Sequence, residues 1–224
     1  MSILYIVATP IGNLEDVPKR ALRILSEVDL ILCEDSRVTK KLLNYYEIKT
    51  PTLSYHQHSK LNKINYILKL LEEGKDLALA SDAGAPGISD PGNKLIEAIV
   101  EFLGERVKIV PVPGASAVTA AASVAGFSMD RFIFLGFPPA KRKRRKFFEK
   151  IISSEYPVIF FESCHRILKT LNELEIINDK LLLVVCRELT KKFETIYRGE
   201  IREVIEKLKK DKTKGEFVVI TKRK

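Results

Sequence analysis

Five short apolar runs alternate with helical patterns through the first half of this chain, and that alternation most restricts its fold. Residues 3–8, 29–34, 52–55, 77–81 and 107–112 read as strands. Between them, 17–28 reads as a helix with Ala21, Leu22, Ile24, Leu25 and Val28 on one face. Residues 36–46 and 59–73 follow the same period, the second stopped by Gly74. A further helix begins after Asp90, expected as its cap, with Pro91 at the first helical position. Apolar strands alternating with helices imply a largely parallel sheet covered on both faces.

The pattern changes after PVPGAS (111–116). A helix of small residues over 118–122 is followed by strands near 132–137, 158–162, 181–186, 195–197 and 217–221. Helices fall near 142–153, 166–174 and 201–208. Two neighbouring strands between 181 and 198 predict antiparallel pairing. The expected fold class is α/β, with a mainly parallel N-terminal domain over 1–113 and a mixed-sheet C-terminal domain over 114–224.

Four irregular loops follow strands of the first sheet: TPIGN (9–13), EDSR (34–37), SDAGAPG (81–87) and PVPGAS. In open α/β sheets ligands bind beyond the carboxyl ends of the strands, and glycines let backbone approach a ligand closely. One such loop is more often a plain turn; four after strands of one sheet favour a site. The loops lack the GxxxxGK[ST] and GxGxxG patterns of phosphate cradles. They carry Asp82 and Asp90 instead, which suits hydroxyls or a positive centre, such as a ribose or a sulfonium.

Lys and Arg number 38 against 29 Asp and Glu, a net charge of +9. Six consecutive basic residues, Lys141, Arg142, Lys143, Arg144, Arg145 and Lys146, follow GFPPA. A run this dense repels itself unless it meets a polyanion, and phosphate contacts favour RNA over a merely solvated face. Cys33, Cys164 and Cys186 are scattered, with no CxxC spacing, so neither a zinc nor a disulfide framework is expected and the cytoplasm is the default compartment. No apolar run spans a bilayer and no secretory signal opens the chain, so no membrane role is expected. His56 and His58 form an HxH, but further metal ligands have no evident place, so no metal is expected. His165, in ESCHR, is either structural or a candidate catalytic group.

Taken together and in order, LYIVATPIGNLEDVPKRAL, CEDSRVTKKLL, SDAGAPGISDPG, VPVPGASAVTAA, FLGFPPAKRKRR, FFESCHRI, CRELTKKFETIYRG and KGEFVVI resemble one family. It is the family of ribose 2′-O-methyltransferases that act on a decoding-centre cytidine of 16S ribosomal RNA, in the tetrapyrrole methylase superfamily. The resemblance covers nearly the whole chain. It implies S-adenosyl-L-methionine as methyl donor, held in an interdomain cleft, a homodimer, and 16S rRNA, in the small ribosomal subunit, as partner. Asp82 and the backbone of Gly84 and Ala85 would wrap the methionine part of the donor. Pro10, Ser116 and Ala117 match other donor-lining positions, and Phe161 and Leu189 match apolar positions around adenine and ribose. The chain departs from the family where Ala85 replaces a usual Thr, Ala115 a usual Pro, and Ser59–Lys60 a usual Asn–Glu. It also ends soon after GEFVVI, so RNA affinity is expected to rest on 141–146.

A ribose 2′-OH needs a base or acceptor beside it. Glu34, Asp35, Glu162 and Glu188 are the candidate carboxylates. Arg37, His165 and Arg187 are candidates to hold phosphates or to orient a carboxylate. Ion pairing is the competing role for Glu188 and Arg187. Two other functions stay open on the residues: methylation of a corrin precursor by the same fold, against which the basic run argues, and non-catalytic RNA binding, against which the intact loops argue.

Overall fold

The computed structural model describes residues 1–56, 61–90, 92–211 and 213–224. His58 of the HxH, the Ser59–Lys60 departure and Pro91 lie outside them. The chain divides into two compact units, Met1–Ser116 and Ala117–Lys224.

In the first unit, β1 (Ser2–Val7), β2 (Leu30–Cys33), β3 (Thr52–Ser54), β4 (Leu77–Ala80) and β5 (Val107–Val112) form a sheet in the order β3-β2-β4-β1-β5. Every pair is parallel. Parallel neighbours need long crossovers. Those are α1 (Lys19–Glu27), α2 (Ser36–Tyr45), α3 (Leu61–Glu72) and α4 (Asn93–Phe102). β4 shows why the strands read as unbroken apolar runs. Leu77 and Leu79 pack with Ile67, Leu71, Leu95 and Ile99 of α3 and α4. Ala78 and Ala80 point the other way, toward Ala21, Ile24 and Leu25 of α1 and Leu42 of α2. A strand buried on both faces has no place for a polar residue.

One expectation fails. Asp90 does not cap the helix that follows it. The cap position is Gly92, at φ 151°, and α4 starts at Asn93. A Cβ on Gly92 would lie 3.1 Å from Leu79 Cδ2 and 3.3 Å from the Gly87 nitrogen. The turn therefore closes too tightly for a side chain, and Asp90 is left facing the ends of the strands.

In the second unit, β6 (Ile133–Phe134), β7 (Val158–Ser163), β8 (Leu182–Arg187), β9 (Thr195–Glu200) and β10 (Glu216–Lys222) run in the order β6-β7-β10-β8-β9. β6 is parallel to β7 and the other pairs are antiparallel. The β8–β9 hairpin pairs Val185 with Tyr197, in line with the expected antiparallel pairing. The helices are α5 (Ala117–Ser123), α6 (Arg144–Ser153), α7 (Ile167–Ile177) and α8 (Ile201–Lys210). Phe147, Phe160, Leu171, Val185, Ile205 and Phe217 belong to its core. The strand expected over 132–137 is assigned over only two residues, although Leu135 N–H still donates to the Ile159 carbonyl (3.0 Å) and Phe161 N–H to the carbonyl of Gly136 (2.9 Å), which sits at φ 66°. Among the described residues, no helix is long and apolar enough to cross a membrane.

Candidate active site

The loops at the carboxyl ends of the first sheet are stitched together. Thr9, after β1, exchanges backbone hydrogen bonds of 3.0 Å in both directions with Gly84, after β4. The Thr9 hydroxyl donates to the Ser81 carbonyl (3.0 Å), and the Ser81 hydroxyl to the Gly84 carbonyl (2.9 Å). Ala8 N–H donates to the Val112 carbonyl of β5 (3.2 Å), and Asp35 N–H, after β2, to Asp82 Oδ1 (3.0 Å). Gly84 sits at φ 83°, where a side chain would be strained. Pro10, buried, follows Thr9 directly; Ala85, half-buried, follows Gly84; Ser116, half-buried, ends the unit.

This convergence concentrates negative charge. Asp90 is pushed up to about 6 by burial first, then by the charges of Glu34 and Asp82. Burial and the same neighbour, Asp82, raise Glu34, with His56 opposing. A raised carboxylate holds a proton more tightly, as a base at a hydroxyl must. Asp35 goes the other way. Its side chain caps α2 by accepting from Arg37 N–H (2.8 Å) and meets the Arg37 guanidinium at 2.6 Å. Those bonds hold it down at about 2. Asp35 was a candidate base; a carboxylate that acidic is an inefficient one near neutral pH. Arg37 is exposed beside it, with its guanidinium engaged by that carboxylate.

A cleft of about 330 Å³ opens beside the cluster, lined by Tyr55, Gly87, Ser89, Asp90, Asn93 and Lys94 among others. Carboxylates grouped at open strand ends, beside a loop whose half-buried Asp82 and exposed Ala83 face outward from the buried Gly84, fit the sulfonium, ammonium and hydroxyl groups of an S-adenosyl donor. They fit a phosphate ligand poorly.

The second unit carries the other expected residues. Glu188 (φ 53°) and Thr190 (φ 65°) place left-handed backbone on both sides of Leu189. Such strain at non-glycine residues clusters at functional sites. Burial works to raise the Glu188 carboxyl, but hydrogen bonds from Lys191 and the Glu216 N–H prevail, and it ends below its usual value. Lys191 Nζ bridges Glu188 and Glu216 at 2.9 Å each. Arg187, buried, donates to the Lys214 carbonyl (2.7 Å) and lies 3.6 Å from Asp211. Both therefore serve internal ion pairs. Phe161, half-buried, stacks edge-on with Phe134, their ring centres 4.9 Å apart. Ala117 opens α5. His165 is exposed in the turn between β7 and α7.

Glu162 corrects an expectation. It was a candidate base, yet its side chain is 0% exposed, with Arg166 Nη2 at 2.9 Å. Thr170 Oγ1 donates to its second oxygen at 2.6 Å. A carboxylate sealed in this way cannot receive a proton from a substrate. The basic run is divided too: Arg144 is buried, while Lys141, Arg142, Lys143, Arg145 and Lys146 are exposed. Arg144 was expected to touch RNA; its guanidinium is bonded inside the protein. The signal for this was present in the sequence, since Arg144, Phe147, Phe148 and Ile151 fall on one helical face.

Among the described residues, no group of three or more His, Cys, Asp or Glu side chains is placed to hold a metal ion. The family model for tetrapyrrole (corrin/porphyrin) methylases matches residues 3–205. A protein of Thermotoga maritima named ribosomal RNA small subunit methyltransferase I is 46% identical over 221 residues, covering 98% of both chains. One of the same name in Bacillus subtilis is 43% identical over 98% of this chain and 75% of its own. Among solved structures, a cobalt precorrin-4 methyltransferase superposes with a TM-score of 0.71, covering 98% of this chain and 94% of its own. At 19% identity that likeness shows the fold alone.

Proposed function

We propose a function on this premise: the chain belongs to the tetrapyrrole methylase family and, within it, to the ribosomal RNA small subunit methyltransferase I family. It is a methyltransferase acting on 16S ribosomal RNA. On our reading the methyl donor is S-adenosyl-L-methionine and the acceptor a cytidine ribose 2′-OH in the decoding centre of the small subunit. A homodimer and a cytoplasmic location belong to the same reading. The observation that carries it is the joining of the Thr9, Asp35 and Gly84 loops around grouped carboxylates.

When bound, the donor supplies a methyl already activated by positive sulfur. The task left to the protein is alignment, which accounts for much of a bimolecular barrier. Asp82, Gly84 and Ala85, with Pro10 and Ser116, would hold the donor, and the family resemblance adds Ala117, Phe161 and Leu189. Among the candidate carboxylates Glu34, Asp35, Glu162 and Glu188, Glu34 is the one that would take the 2′-OH proton: it stands at the end of β2 beside Asp82, raised, while Asp35 and Glu188 are lowered by their partners and Glu162 is sealed. The products are the methylated ribose, S-adenosylhomocysteine and one proton. Lys141, Arg142, Lys143, Arg145 and Lys146 would contact RNA phosphates.

The test is transfer of labelled methyl from S-adenosyl-L-methionine to unmethylated small subunits, to their extracted RNA and to a corrin precursor. We expect 2′-O-methylcytidine in subunit RNA, read by nucleoside mass spectrometry. Label in the corrin precursor alone would overturn the substrate and leave the fold.

A further inference from the structure

We infer that the buried Glu162–Thr170–Arg144 chain is a positioning device that holds the basic run in shape for an RNA backbone. This inference rests on reading the chain as an RNA methyltransferase.

The chain of bonds starts in the core and ends at the base of the run. Glu162 sits on β7 and Thr170 on α7, and both are buried. The Thr170 hydroxyl donates to Glu162 Oε2 (2.6 Å) and accepts from Arg144 Nη2 (2.7 Å). Arg144 Nε donates to Glu173 Oε2 (2.7 Å), and Nη1 to the Pro139 carbonyl (3.1 Å). Arg166 completes a second arm. Its Nη2 meets Glu162 Oε1 (2.9 Å) and its Nη1 donates to the Pro138 carbonyl (3.0 Å). Two guanidiniums, both tied to one sealed carboxylate, thus grip consecutive carbonyls just before the run.

The run itself is bent. Arg144 N–H closes a turn on the Lys141 carbonyl (3.2 Å), and Lys143 sits at φ 67°, ψ 4°. Left-handed backbone at a lysine costs energy and persists only where its surroundings impose it. Five exposed cations crowded on one turn repel each other as well. A network of charge-assisted bonds beneath them offsets both costs. Its direction is also defined: a guanidinium has donors only, so the Thr170 hydroxyl accepts from Arg144 and its own proton goes to Glu162.

The experiment measures binding of unmethylated small subunits across a salt series, with donor binding and thermal unfolding as controls. Thr170→Val removes the hydroxyl, and Thr170→Ser restores it. We expect roughly tenfold weaker RNA binding for Thr170→Val, the size of effect of losing a buried charged hydrogen bond. The salt slope should flatten by about 1, as if one phosphate contact were lost. KM for RNA should rise with kcat kept, donor affinity should hold, and Thr170→Ser should recover both affinity and slope. Should Thr170→Val fold poorly, Glu173→Gln weakens the same arm from its more exposed end and should flatten the slope in the same sense. Unchanged RNA affinity and slope in either folded variant overturns the inference. If the unsubstituted protein neither binds the subunits nor methylates them, the function reading fails instead.

Discussion

Asp35 N–H donates to Asp82 Oδ1 across 3.0 Å, joining the loop after β2 to the loop after β4. Those residues are far apart in sequence and lie on neighbouring strands' ends. The bond orients the Asp82 carboxylate. Asp82→Ala removes both the orientation and the charge. We expect it to abolish methyl transfer and donor binding, measured by calorimetry, with little change in thermal unfolding.

Asp90 is raised to about 6 in the folded protein, chiefly by burial. Its usual value is 3.8, so between these two values the folded state binds more protons than the unfolded one. Stability from this group is then full below about pH 4 and lost as pH rises through about 6. Asp90→Asn removes the titration. The variant should lose less of its thermal midpoint than the parent between pH 4 and pH 6, and Asp82→Asn should lower the Asp90 titration seen by NMR.

Gly114 lies in the loop after β5, where a Cβ would stand 3.0 Å from Ala8 Cβ and 3.3 Å from the Ala8 carbonyl oxygen. Neither atom is on a flexible side chain, so the loops must part. Gly114→Ala should destabilise by about 1–3 kcal/mol, as overpacked sites do. Urea unfolding checks this: the midpoint should fall with the slope unchanged.

Arg142 and Arg144 are two positions apart in one basic run, and their substitutions should fail differently. Arg142 is exposed. Arg142→Ala should leave thermal unfolding alone and flatten the salt dependence of RNA binding by about 1. Arg144→Ala strips buried Thr170 and half-buried Glu173 of their cation. It should cost about 3 kcal/mol of stability, as when one partner of a buried pair is removed.

How much was legible follows from the range over which each feature is decided. Strand and helix order could be read because burial period is local: Leu77 to Ala80 is apolar whichever strands flank it. The converging loops were legible too, since glycine marks backbone that a side chain would strain, as at Gly84 (φ 83°), or crowd, as at Gly114. The cap assigned to Asp90 was not, because a residue type suited to capping does not reveal that Gly92 makes the turn.

The sequence by itself determined the alternating α/β order, the places where loops follow strands, the abundance of carboxylates in those loops and the concentration of positive charge at 141–146. Each is set by residue type and spacing within a few positions. Only the tertiary structure decided that Glu162 is sealed against Thr170 and Arg166, that Arg144 turns inward while its five neighbours face solvent, and that Asp35 is held acidic while Glu34 and Asp90 are raised. Those outcomes depend on desolvation and on distances between groups, and in most cases on groups that are remote in the chain. Local pattern hints at some of them, as the helical face shared by Arg144 and Phe147 does, but it does not fix them, because the energy of a charge is set by what surrounds it in space.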